Sequence, residues 1–233
     1  MVKQAVILAA GRGVRMLHLT EDVPKPLIII NKKPFLYYLL NNLKQAGYEK
    51  LLFVVGHKKE KLFDFVKNNG FGFEVEFIHQ DQPLGTGHAV KLAKKHVLGN
   101  FVVINGDNLY SVEDLLSVNF EDEYNYLFGL KHEHPERFGV LKTKGAFLVD
   151  IEEKPKKPAT KLINSGLYKF TPDIFDALDR IEKSPRGEYE LTSAIGLLVK
   201  QKKVKVKLLK KYCVHLGNFE DISNVEKFIK DNF

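Results

Sequence analysis

Arg15 and Lys25 follow a single glycine-containing turn, Ala10-Gly11-Arg12-Gly13-Val14, and Asp107 closes the apolar run Phe101-Val102-Val103-Ile104-Asn105-Gly106. These residue types suit phosphate chemistry. Arg offers a planar fork and Lys a point charge to polyphosphate oxygens. Glycines such as Gly11 and Gly13 let backbone N–H groups come close to the same oxygens, because no Cβ stands in the way. The turn follows Gln4–Leu8, a short apolar run that reads as a buried strand. Strand, turn and cations together read as a pocket for a nucleoside triphosphate. A carboxylate just beyond a buried strand, as at Asp107, can hold Mg²⁺ through oxygen ligation. Taken singly, an ordinary tight turn and a capping Asp fit the same residues.

Two other phosphate motifs are excluded. A dinucleotide fingerprint needs a glycine at position 16, which is Met16, and the second strand closes with Val55-Gly56-His57 rather than an acid. No segment has P-loop spacing. A further loop, Gln80 to Ala89, leads into a helix and could read a base edge with its amides, or could be a helix start capped by Thr86. Glu152-Glu153-Lys154-Pro155 and Asn164-Ser165-Gly166 carry groups suited to hydroxyls, although each alone also fits a solvated loop or turn.

These residues need a scaffold, and the pattern supplies one. Strand-like runs at 4–8, 51–55, 73–78 and 101–104 alternate with helical runs at 35–46, 60–68 and 86–96, which predicts a mostly parallel sheet with helices on both faces. Ligands bind such sheets at the carboxyl ends of the strands, where the candidate residues fall. The second half has strand-like runs at 124–130, 138–142, 146–151, 161–170 and 204–208, a helix opened by Thr171-Pro172-Asp173 and a last helix over 219–230. No linker or repeat divides the chain, so 1–110 and 111–233 are expected to be halves of one domain.

The 233 residues, 44% of them apolar, can bury a substantial core. Lys and Arg exceed Asp and Glu by 36 to 29, a net charge of +7. The lysines are scattered and no nucleic-acid motif accompanies them, so an anionic small substrate is expected rather than nucleic acid. No apolar run approaches the roughly 18 residues of a membrane helix and no signal peptide precedes the first strand, so a cytoplasmic protein without membrane contact is expected. The single cysteine, Cys213, is expected to be an inert core thiol.

Read in order, Leu8-Ala9-Ala10-Gly11-x-Gly13-x-Arg15-Met16, Pro24-Lys25-Pro26-Leu27, Leu84-Gly85-Thr86-Gly87-His88-Ala89 and Asn105-Gly106-Asp107 resemble the sugar-1-phosphate nucleotidyltransferases. The resemblance continues through Phe138-Gly139-Val140, Glu153-Lys154-Pro155, Asn164-Ser165-Gly166-Leu167-Tyr168 and Gly187-Glu188-Tyr189-Glu190-Leu191-Thr192. It implies a Rossmann-like α/β fold with a smaller sugar-binding lobe in the second half. The implied reaction moves a nucleotidyl group from a triphosphate, UTP or dTTP by preference, to a sugar 1-phosphate such as glucose- or N-acetylglucosamine-1-phosphate. Arg15 would grip the leaving pyrophosphate, Lys25 the α-phosphoryl region, and Asp107 a Mg²⁺ ion, or Mn²⁺ or another divalent ion. Leu8, Ala10, Gly11, Gly13, Gln80, Gly85 and Thr86 would line the nucleotide site, and Gly139, Glu153, Lys154 and Asn164 the sugar site.

Three departures from the family pattern stand out. Many relatives carry Trp-x-Asp-x-Gly-Thr where this chain has Tyr212 to Asn218, so the usual second metal-binding Asp is His215. Neutral imidazole suits Mg²⁺ poorly and softer divalent ions better, which leaves His215 open as a metal ligand or a residue of another role. Ser193 and His18 replace a usual Asp and Pro. The chain ends soon after its last helix, so the hexapeptide-repeat β-helix of some relatives is not expected. A cytidylyltransferase acting on a polyol phosphate and a non-catalytic nucleotide-sugar sensor are the alternatives. The pattern leaves open whether the protein is a homo-oligomer.

Overall fold

The computed structural model describes residues 2–11, 13–56, 58–118 and 121–233, apart from the side chains of Val14 and Leu17. The strands are β1 (Gln4–Ala9), β2 (Ile29–Ile30), β3 (Lys33–Pro34), β4 (Lys50–Val55), β5 (Glu74–His79), β6 (Phe101–Asn105) and β7 (Asn108–Tyr110), then β8 (Asn125–Lys131), β9 (Gly139–Lys144), β10 (Phe147–Glu153), β11 (Leu162–Phe170), β12 (Val204–Leu208) and β13 (Cys213–His215). The helices are α1 (Phe35–Gln45), α2 (Lys59–Asn68), α3 (Thr86–Leu92), α4 (Val112–Leu116), α5 (Asp173–Leu178), α6 (Leu191–Val199) and α7 (Ile222–Asn232).

Nine strands form one sheet in the order β5-β4-β1-β6-β11-β8-β12-β10-β9. The first four are parallel, with Ala5 opposite both Leu51 and Val102. Their apolar runs are continuous because both faces are covered. Ala5, Ile7, Leu51, Phe53, Val102 and Ile104 pack with α1, α2 and α7 on one side, while Val6, Leu52, Val54 and Val103 pack with α3, α5 and α6 on the other. Parallel alignment brings the ends of β1, β5 and β6 to a common edge, and with them the turn at Gly11, Gln80 and Asp107.

Beyond β6 the pairing changes. β11 runs antiparallel to β6, β8 and β9, and its bond to β9 at Ile163–Val140 curls the end of the sheet back on itself. The reversal brings the second half's polar residues to the same edge as Asp107. The Lys169 ammonium is wholly buried here, donating to the carbonyls of Asp122 at 2.6 Å and Tyr124 at 2.7 Å. No described helix is long and apolar enough to cross a membrane.

Two helix starts differ from expectation. Thr171 does not cap a helix N–H; its hydroxyl donates to Asn125 Oδ1 at 3.4 Å, and the helix begins at Asp173. The buried Asn125 side chain, which also accepts from the Thr171 N–H at 2.9 Å, competes successfully for that threonine. Thr86 is the first residue of α3 rather than its cap, and its hydroxyl accepts from the Leu191 N–H at 3.2 Å.

A register shift interrupts β11 between Asn164, which pairs with Gly129, and Tyr168, which pairs with Leu127. Gly166 makes this possible with a φ of 80°, and a Cβ there would stand 2.4 Å from Asn105 Nδ2. Gly145 has a similar φ of 60° but open space around it. Left-handed backbone alone costs about 1–2 kcal/mol for a non-glycine residue, so Gly145→Ala will lower stability by about that amount. Gly166→Ala will lose about 1–3 kcal/mol more through the clash; comparing the urea midpoints of the two variants checks the difference.

Candidate active site

The end of the cleft where phosphate is expected is built by two abutting turns. The Gly106 N–H donates to the Leu8 carbonyl at 2.9 Å, and a Cβ on Gly106 would meet that same oxygen at 2.9 Å, so the end of β6 lies directly against the end of β1. Half-buried Leu8 therefore has its carbonyl engaged, and Ala10 is buried beside Gly56. Gly11 is exposed at the rim with open space around it. Gly13 adopts a φ of 66° and packs so closely that a Cβ would lie 2.9 Å from Thr20 Cγ2 and 3.2 Å from Lys25 Cβ. Arg12 lies outside the described residues. Arg15 is exposed on the short 3₁₀ turn that follows, near enough for its charge to act on Lys154 and His215.

Lys25 is held from both sides. Pro24 and Pro26 stiffen its backbone, and the side chain is buried. Its Nζ donates to Asp107 Oδ2 at 2.7 Å and to the Gly217 carbonyl at 3.0 Å. Burial, the largest single influence, pushes the Asp107 carboxyl up, but the Lys25 charge, His215, the Lys25 hydrogen bond and a backbone hydrogen bond together outweigh it, and the pKa falls to about 2. The pair therefore stabilises the fold above the unfolded carboxylate value of about 3.9, and that contribution disappears as pH falls through about 2.

His215 reaches the same place from a distant part of the chain. β13 pairs with β7 so that His215 faces Asn108, and the Leu216 N–H donates to the Asp107 carbonyl at 2.9 Å. Burial, outweighing the neighbouring Asp107 charge, holds the imidazole below its ordinary range and so neutral at pH 7. Among the described residues no three His, Cys, Asp or Glu side chains cluster as a metal cage. The adjoining Cys213 thiol is pushed up to about 12 by burial, which fits an inert thiol.

On one flank lie the residues expected at the nucleotide. Gln80 is buried at the end of β5, and its Nε2 donates to the Gly85 carbonyl at 3.2 Å and to His88 Nδ1 at 2.8 Å. Burial and Lys91 lower the His88 pKa, so its ring can accept. Leu84, Gly85 and Thr86 form a clasp with the start of α6. Tyr189 N–H donates to the Leu84 carbonyl at 2.8 Å and Gly87 N–H to the Tyr189 carbonyl at 2.8 Å. Gly85 is required here, since a Cβ would lie 2.7 Å from the Tyr189 carbonyl.

On the other flank are the residues expected at the sugar. A Cβ on Gly139 would touch Glu153 Oε2 at 3.3 Å and Asn164 Cβ at 3.5 Å, so these three residues, from three strands, enclose one small cradle. Glu153 is raised by burial, with Lys154 and Arg186 opposing the shift and Thr192 donating a hydrogen bond. Lys154 has a left-handed φ of 49°, a conformation that a non-glycine residue holds only where its surroundings require it. Asn164 Nδ2 donates to the Tyr168 hydroxyl at 2.6 Å. Asn105, Asn108, Phe138, Asn164, His215 and Phe228 line a cavity of about 340 Å³ alongside.

Several residues that single-chain reading left without a role also belong to this site. Arg186 places Nη2 at 2.6 Å and Nε at 3.1 Å from Glu190 Oε1, and Nη2 at 3.6 Å from Glu153. Its signal was the run Arg186-Gly187-Glu188-Tyr189-Glu190, whose charges sit outside any helical pattern. Asn108 joins β7, β11 and β13 through one side chain, and no spacing along the chain reveals that.

A family profile described as nucleotidyl transferase matches residues 4–232, nearly the whole chain. This chain belongs to the nucleotidyl transferase family. As a member, it is 37% identical over 229 residues to the bifunctional protein GlmU of Methanococcus aeolicus, a match covering 98% of this chain and 54% of the relative. The chain thus spans about half the length of that relative. It is 35% identical over 203 residues, 84% of each chain, to the UTP–glucose-1-phosphate uridylyltransferase AglF of Haloferax volcanii. A UDP-glucose pyrophosphorylase solved with UDP-glucose superposes with a TM-score of 0.89 at 24% identity over the full length of both chains. A putative glucose-1-phosphate thymidylyltransferase from Bacillus anthracis, solved with a sucrose, gives 0.86 at 25% identity, covering 99% of this chain and 96% of its own. The nucleotide-diphospho-sugar transferase fold expected from sequence is therefore the observed one.

In this nucleotidyl transferase, Lys25→Met will raise the Asp107 pKa from about 2 to above the ordinary carboxylate range, because burial then acts without its cation. The ¹³C shift of the Asp107 carboxyl carbon against pH reports this; a pKa unchanged in the variant would show that Lys25 is not the cause.

Proposed function

We propose that this chain transfers a nucleotidyl group from UTP or dTTP to a sugar 1-phosphate, with glucose- and N-acetylglucosamine-1-phosphate the favoured acceptors, releasing pyrophosphate. The observation that carries the proposal is the Lys25–Asp107 pair at 2.7 Å, a buried ammonium on a half-buried carboxylate, set between a cleft wall of amides and one of sugar-type hydrogen-bonding groups. A sensor has little use for a cation and a metal-type carboxylate held together in this way.

A phosphate oxygen of the sugar phosphate attacks the α-phosphorus of the triphosphate. The bond from that phosphorus to the bridging β-phosphate oxygen breaks, and pyrophosphate leaves with the electron pair. The nucleophile is already anionic at neutral pH, so no general base is needed. What the residues supply is alignment and charge. Arg15 takes the leaving pyrophosphate and Lys25 the α-phosphoryl oxygens. Gly139, Glu153, Lys154 and Asn164 orient the sugar.

Gln80 supports the choice of base. Its Nε2 protons go to Gly85 and His88, leaving the amide oxygen as an acceptor. Uracil and thymine present a donor at N3, whereas cytosine presents an acceptor there, which weighs against CTP. The site also suits a divalent cation. Asp107 is an ionised, partly accessible carboxylate and His215 a neutral imidazole, with phosphate oxygens available for other positions. Such an ion, when bound, would act as template and Lewis acid at the phosphates.

Pyrophosphate release, measured with Mg²⁺, Mn²⁺ or Co²⁺ across the common triphosphates and hexose 1-phosphates, will appear with UTP or dTTP. It will fall by at least ~10²-fold in Asp107→Ala. Silence with every pair would sink the reaction as proposed. Gly139→Ala narrows the cradle against Glu153 and will raise KM for the sugar phosphate by about 10-fold or more, with KM for the triphosphate unchanged.

A further inference from the structure

Gln80 is 5% exposed, and its side-chain amide is anchored through the nitrogen alone. Nε2 meets the Gly85 carbonyl at 3.2 Å and His88 Nδ1 at 2.8 Å. A carbonyl only accepts, so the atom beside Gly85 is the amide nitrogen and the orientation of the group is settled. An amide nitrogen only donates. His88 Nδ1 therefore carries the lone pair, and the proton of the ring sits on Nε2. Burial, the larger influence, and Lys91 both hold the imidazole below its ordinary range, so the ring is neutral at pH 7.

The two acceptors are fixed relative to one another because they belong to one helical turn. The Gly85 carbonyl also accepts the Ala89 N–H at 3.1 Å as α3 begins, and His88 lies within the turn that this bond closes. Main-chain bonds from Tyr189 to Leu84 and from Gly87 to Tyr189 tie the turn to the segment before α6, and the Tyr189 ring stands 6.4 Å from the imidazole. Both amide protons of Gln80 are thus taken by the protein. Its Oε1 has no donor among the described residues, and a buried acceptor without a donor is costly unless a ligand supplies one.

We infer that His88 is a positioning residue that takes up the second amide proton of Gln80, so that the site presents an acceptor without a donor and selects a base with an N–H at N3. The inference rests on the nucleotidyl-transfer reading above, which sets a base beside Gln80, and it names the residue that makes the choice of base exclusive. Uracil and thymine bring a hydrogen to Oε1. Cytosine brings a lone pair, and two acceptors would then face each other. Without the His88 lone pair, one Nε2 proton would stay buried and unpaired, and N3 of cytosine is an acceptor that could satisfy it. His88 thereby acts on the base without touching it.

The test uses the full chain and needs no turnover. Dissociation constants for UTP, dTTP and CTP are measured with Mg²⁺ and no sugar phosphate. In His88→Phe, which keeps a ring but loses the acceptor, the preference for UTP over CTP will fall by at least ~10-fold. The ratio of UTP to dTTP, which share the N3–H, will stay as it is, whereas a merely structural role would weaken all three alike. His88→Asn, whose Oδ1 can stand where Nδ1 stood, will restore the preference. Long-range ¹H–¹⁵N correlation of the unsubstituted protein at pH 7 needs no variant and will show the His88 proton on Nε2. A proton on Nδ1, native binding of CTP as tight as that of UTP, or an unchanged UTP-to-CTP ratio in His88→Phe overturns the inference. The two readings fail separately. Pyrophosphate release with an unchanged ratio removes the role of His88 and keeps the reaction, and the expected change of ratio without release does the reverse.

Discussion

An ammonium and a carboxylate removed from bulk water are costly to hold apart, and the Lys25–Asp107 pair organises this chain around that cost. Each ion alone would lose several kcal/mol of hydration, which a close partner and further hydrogen bonds must offset. Lys25 finds Asp107 and the Gly217 carbonyl, and Asp107 finds Lys25 with the neighbouring backbone. The partners come from a proline-stiffened turn, the end of β6 and the segment after β13. Folding therefore has to bring residues 25, 107 and 217 together before either charge can be buried. The turn at Gly13 is shaped to let Lys25 through, and the ends of β1 and β6 press together at Leu8 and Gly106.

From that pair the cleft extends in two directions with different physics. On the flank of Gln80 and Gly85, backbone contacts dominate: α3 and the start of α6 are joined by main-chain hydrogen bonds, and glycines at 85 and 87 allow contacts too close for any side chain. On the flank of Gly139 and Glu153, side chains dominate, and their charges are balanced against burial. Glu153 is raised by desolvation and restrained by Lys154 and Arg186, so the local field is mixed rather than strongly of one sign. A field of this kind suits neutral hydroxyls, whereas the cationic centre of the cleft suits phosphates.

How much of this was legible in the sequence follows from where each signal lies. The parallel half could be read because Gln4–Leu8, Leu51–Val55 and Phe101–Ile104 are buried on both faces and so carry unbroken apolar runs. The glycines and cations could be read because the phosphate end is built from short contiguous segments. The antiparallel closure through Ile163 and Val140 could not, since it depends on pairing between strands far apart in the chain. Thr171 misled because its hydroxyl has a buried competitor in Asn125 that no local rule reveals. The β7–β13 pair is three residues long on each side, too short to show a period. It nevertheless sets His215 beside Asn108.

The start of α6 has a consequence for how the two flanks communicate. Leu191 is bonded to Thr86 on one flank, and the next residue, Thr192, is bonded to Glu153 on the other. Adjacent residues on one rigid helix cannot move independently. A ligand that draws Thr86 inward changes the free energy of placing Glu153, and linkage requires the reverse effect to be equal in magnitude. Two substrates that never touch the same side chain would then have affinities that cannot be assigned separately.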